Sequence, residues 1–119
     1  GGVRRGYLGV GAYPVALPSA LATALGQDSG ALIASIEDGG PAGQAGVIVG
    51  DILVRLGGQP IGGPLDLRTA LLDRGGQALD AEIIRAGVRA VAPGLRVGFL
   101  GGHLREAGLS VSGGGARRD

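Results

Sequence analysis

The chain has 119 residues, a net charge of +1, and 27 glycines with 6 prolines. So much glycine and proline raises low complexity or disorder. A hydrophobic share of 45% against 18% charged residues excludes both, because disordered chains are poor in apolar residues and highly charged. One small, turn-rich domain is the expectation.

Gly6 to Val15 (GYLGVGAYPV) reads as a strand that opens from a glycine loop. Pro18 to Leu25 is a short helix, with proline near its start and Gly26 placed to stop it. Gly30 to Ile36 (GALIASI) is an apolar, β-branched strand. Gly39 to Gly46 is a compact turn in which one helical turn can begin at Pro41. Asp51 to Leu56 is a strand, Gly57-Gly58 suit the positive φ angles of a tight hairpin, and Gln59 to Ile61 return. Pro64 to Arg74 is the strongest helix, with Leu65, Leu67, Leu71 and Leu72 on one broad face and Gly75-Gly76 as its stop. Ala78 to Arg85 and Val88 to Gly98 are strands about a turn at Ala86-Gly87, and Pro93 makes the second an edge or bulged strand. The sum is a small α+β domain of five to six strands and two helices, curled into a partly open barrel or sandwich. Residues 1–5 are expected to be the end of a linker, 6–99 the domain, and 100–119 a flexible C-terminal tail.

The sequence holds little that could carry catalysis. There is no cysteine for a thiolate site or nucleophile, and the single histidine, His103, cannot build a multi-histidine metal centre. No metal and no cofactor is expected. The positive charges are all arginine, so a phosphate loop of the Walker type lacks its lysine. Near-zero net charge and only 2 Tyr, 1 Phe and no Trp argue against nucleic acid. No apolar run nears the roughly 18 residues of a membrane helix. A triad would need His103 and Ser112, both in a polar, glycine-rich segment, so the chain alone is expected not to be an enzyme. Asp66, in the first turn of its helix, suits the helix dipole better than acid–base work.

A binding geometry remains. A glycine turn ending in Tyr7-Leu8-Gly9-Val10 and entering a strand can aim the amides of Leu8, Gly9 and Val10 into one concavity, where a carboxylate binds without a charged side chain. If Gly11 to Tyr13 form a free edge, an extended peptide can add there as a new strand.

The segment Gly40-Pro41-Ala42, Ala45-Gly46-Val47, Gly50-Asp51-Ile52-Leu53 and Leu56-Gly57-Gly58-Gln59-Pro60-Ile61 carries a more specific signal. With these residues at this spacing the sequence resembles a PDZ domain, and more closely those of the bacterial HtrA/Deg serine proteases, from about Arg5 to Gly98. Gly40 stands where the family usually has Ser, Val49 where it has Pro, and Gly57 where it has Asn. Asp51 in this motif is read as a turn-bonding residue with no catalytic part.

The resemblance implies a groove between the strand after the loop and the second main helix. It places a peptide carboxylate at the amides of Leu8, Gly9 and Val10, with Arg4 or Arg5 as electrostatic support. The peptide would run along Tyr7 to Tyr13 (Gly11 and Ala12 between), with Leu71 closing the terminal pocket and Pro64 and Arg68 on the same helix face. Leu67 is assigned to the core. An apolar terminal residue is expected, with an apolar or acidic residue two places earlier. The implied function is a peptide-binding module that recognises exposed apolar C-termini and regulates or feeds an attached protease domain. Its partners would be C-termini of unfolded or envelope proteins, in the periplasm or another extracytoplasmic compartment, with homo-oligomers formed through the parent protein. The alternative is a docking element that contacts its own protease domain or neighbouring subunits and binds no free peptide.

Overall fold

Turn chemistry sets where each element begins and ends. The computed structural model describes residues 6–99. In chain order these form β1 (Gly6–Tyr7), β2 (Val10–Ala16), α1 (Ser19–Leu25), β3 (Ser29–Ile36), α2 (Pro41–Gln44), β4 (Ile52–Leu56), β5 (Gln59–Pro60), α3 (Pro64–Leu71), β6 (Ala78–Arg85), β7 (Val88–Arg96) and β8 (Gly98–Phe99). Gly26 ends α1 in the left-handed region at φ 72°, and its amide closes onto Ala22 O. Gly57 and Gly58, at φ 58° and 83°, make the β4–β5 hairpin turn.

Three expectations are corrected. There are three helices and not two, since the turn at Pro41 closes into α2 with Ala45 N–H bonded to Pro41 O at 3.1 Å. The first strand is split in two at Leu8-Gly9, where Gly9 takes φ 75°. The long helix stops at Leu71, well short of Gly75: Leu72 is extended and Asp73, of a type that tolerates the left-handed region, turns there at φ 62°.

The sheets are a pair, β1–β8, and a six-stranded sheet in the order β2-β3-β4-β6-β7, with β5 on β4. It does not close into a barrel, because β2 and β7 remain edges. Pro93 lies on the edge strand β7, as expected, in the stretch where the β6–β7 register shifts between Leu79 and Ala81. There Gly94 turns at φ 63° and its amide donates to Asp80 Oδ1 at 2.9 Å.

Alternation along the strands assigns the layers. Leu53 and Leu56 of β4 and Ile83 of β6 join Ile33, Ile61, Leu67 and Leu95 in the main core, on the face covered by α3. Val54 and Ile84, on the opposite face, pack with Leu17 and Leu25 under α1. Gly30 is buried where β3 crosses β4, and a Cβ there would come 2.6 Å from Ile52 Cγ2 and 3.2 Å from Leu53 O. Gly30→Ala should therefore cost about 1–3 kcal/mol by overpacking. Thermal unfolding tests this, and a Tm within about 2 °C of the parent would show that β4 gives way freely.

Candidate functional site

Between β2 and α3 lies a groove of about 710 Å³. Its first wall is the turn that splits the opening strand. Leu8 O accepts from Ala42 N–H at 3.0 Å, and Gly9 O accepts from Glu37 N–H at 2.8 Å. In a trans peptide the N–H points opposite to the C=O. With both carbonyls tied toward the protein, the amides of Gly9 and Val10 point away from Ala42 and Glu37. Gly9 makes this turn without strain because it lacks a Cβ at φ 75°.

The second wall is the open edge of β2. Alternate residues of an antiparallel ladder exchange both backbone bonds with their partner. Glu37 N–H to Gly9 O and Leu17 N–H to Asp28 O, both 2.8 Å, put the odd-numbered residues of β2 in that bonded set. The register shift after Gly11 takes its extra residue, Ala34, on β3, so the alternation along β2 is unbroken. Val10, Ala12 and Pro14 thus turn their backbone groups to the edge, and proline has no N–H to offer there.

The third wall is α3. Pro64 occupies its first turn, where a missing N–H costs nothing, and Asp66 Oδ2 accepts from Gly62 N–H at 2.8 Å just ahead of it. Leu67 is buried and forms groove floor as well as core, Leu71 is half-buried against that core, and Arg68 is exposed on the rim.

Of the residues singled out by sequence, Tyr7 to Ala12, Pro64, Arg68 and Leu71 come together here. Tyr13 does not: it belongs to the bonded, outward-facing set of β2 and stands 63% exposed outside the groove. Arg4, Arg5, His103 and Ser112 lie outside the described residues. Sequence reasoning missed Ser35, Ile36 and Glu37, which also line the groove. Their signal was the pairing of β3 with β2, which puts the end of β3 behind the glycine turn.

Asp51 has no part in the groove. It is 1% exposed, accepts from Ile48 N–H at 2.9 Å, and forms a two-bonded ion pair with Arg85 at 2.8 and 2.7 Å. Among the described residues, no group of three or more His, Cys, Asp or Glu side chains could hold a metal ion.

An open-edged strand facing a helix, headed by a glycine turn with outward amides, is a peptide-groove architecture. A PDZ domain profile matches residues 32–85. A probable periplasmic serine endoprotease of the DegP-like kind from Pseudomonas putida is 36% identical over 118 residues, 98% of this chain and 24% of that protein. The chain belongs to the HtrA-type PDZ domains. A DegP-like relative from Brucella suis is 39% identical over 67 residues, 56% of this chain and 13% of that protein. The PDZ chain thus spans less than a quarter of these relatives' length. Among solved structures, the HtrA-type protease AlgW with a decapeptide matches with a TM-score of 0.63 and 27% identity, over 81% of this chain and 30% of that one.

Proposed function

We propose that this PDZ domain captures the C-terminal end of an extended polypeptide by strand addition to β2, and that it does so for an HtrA-type serine protease outside the cytoplasm. The observation that carries the proposal is the turn at Gly9, whose outward amides stand at the head of an open strand edge. A terminal carboxylate bonded to the amides of Gly9 and Val10, with Leu8 adjoining, gains charge-assisted hydrogen bonds. The terminal side chain then enters the space walled by Val10, Leu67 and Leu71, which favours Val, Leu, Ile or Ala. The third residue from the end pairs with Ala12, and main-chain pairing weakens at Pro14. Arg68 on the rim favours an acidic residue near that third position. Arg4 and Arg5 would add positive potential at the turn.

The DegP-like relatives are named periplasmic serine endoproteases, which supports the location and the partnership with a protease. A peptide held in the groove would act on that protease as an effector, by coupling two sites.

Calorimetric titration with a short peptide ending in Val, as free acid and as amide, tests the carboxylate mechanism. The free acid is expected to bind at least tenfold more tightly, roughly the worth of one charge-assisted hydrogen bond. Equal affinity would remove the glycine turn from recognition.

A further inference from the structure

Two glycines, Gly9 in the turn and Gly11 in β2, lie on the face opposite Val10 and Ala12, whose side chains pack toward the core. A side chain at either position would meet β3 or its continuation. A Cβ on Gly11 would collide with Ser35 Oγ, and one on Gly9 would lie 3.0 Å from Glu37 Oε1. Ile36 between them packs inward on the core, so Ser35 and Glu37 both stand on the outward face. With no β2 side chain in front of them, these two polar groups are open to anything added along the edge. Glu37 is exposed, and its side chain has no hydrogen bond or ion pair among the described residues.

Resting on the strand-addition proposal above, we infer that Glu37 reads the penultimate residue of the bound C-terminus and selects a basic one. Side chains of an added strand alternate. When the terminal side chain faces Leu71, the penultimate one faces the opposite way, across Gly9 and Gly11 toward Glu37 and Ser35. A Lys or Arg there meets an unpaired carboxylate, with the Ser35 hydroxyl as a second acceptor. An Asp or Glu meets like charge beside a bound terminal carboxylate. The terminal pocket thus sets the apolar end of the ligand, and Glu37 sets the charge of its neighbour.

Three free-acid peptides that differ only in a penultimate Lys, Gln or Glu test this, with a control that carries its Lys several residues upstream. At low salt the order should be Lys, Gln, Glu, with Lys over Glu by about two- to fivefold, the range of exposed charge pairs. The upstream Lys should not reproduce the gain, and raising salt should shrink it. Glu37→Gln should flatten the series, and Glu37→Lys should invert it. A Lys-to-Glu ratio unchanged in Glu37→Gln, while the free acid still outbinds the amide, would overturn the role of Glu37 alone. Absence of an acid–amide difference in the parent domain would overturn capture of the C-terminus at the glycine turn, and the inference with it.

Discussion

Asp51→Ala is expected to destabilise the domain by about 3 kcal/mol, the scale for deleting a buried carboxylate that accepts hydrogen bonds from a backbone amide and a charged guanidinium. For a domain of this size that is a fall in Tm of about 15 °C. Asp51 ties the turn ahead of β4 to the end of β6, one position beyond the Ile52–Ile84 pair of the β4–β6 ladder. It fixes the turn before β4 through Ile48 N–H, and it holds Arg85 at the end of β6, which also donates to Gly46 O at 2.8 Å. Without the carboxylate the guanidinium reverts to solvent, since the Arg85 side chain is already 42% exposed, and the loop from Gly46 to Gly50 loses its tether. Burial works against the ionised Asp51, but hydrogen bonds from Arg85 and from the Ile48 amide, with the guanidinium charge, outweigh it and hold its carboxyl below the usual range. A folded-state pKa below the unfolded value of roughly 4 adds stability above that value, and the stability is lost as pH falls through the folded one. Urea unfolding at pH 7 and at acid pH should show the parent losing more stability than Asp51→Asn over that window. Parallel losses would mean that Asp51 contributes nothing through its charge.

Gly9→Val is expected to weaken binding of a free-acid peptide by about tenfold or more while the domain stays folded. A β-branched residue resists φ 75°, a conformation that costs roughly 1–2 kcal/mol even for an ordinary side chain. Its Cβ also lies 3.0 Å from Glu37 Oε1 and 3.2 Å from Glu37 Cβ. Relief comes from rotating the turn, and rotation moves the Gly9 and Val10 amides off the carboxylate position. Each charge-assisted bond lost is worth about 1.5–3 kcal/mol, so losing one suffices for the effect. The readouts are a calorimetric Kd and a thermal melt on one sample. A folded variant with the parent Kd would show that these amides do not hold the ligand.

The strand and hairpin pattern was legible because it rests on local chemistry: paired glycines at 57 and 58, proline at the start of α1 and α3, and an apolar, β-branched run at β3. The end of α3 was misjudged because Gly75-Gly76 look like a stop signal, whereas the chain leaves the helix earlier through Asp73 in a conformation more typical of glycine. The β2–α3 lining followed from the resemblance and from helical spacing. Ser35 and Glu37 could not, since their place depends on a register shift after Gly11 that no local pattern encodes. The Arg85 partner of Asp51 was hidden likewise, 34 residues away in sequence.

The sheet's two edges are unequal. On β7 a proline, a bulge and the Asp80–Gly94 bond disrupt the ladder, while on β2 the extra residue of the register shift falls on β3 and the alternation runs unbroken from Val10 to Ala12. Endless stacking of one molecule on the next would require a receptive border on each side. Here a β2-to-β2 meeting of two copies uses up both regular borders and ends the assembly there. The edge proposed to accept strands is thereby kept from templating a fibre.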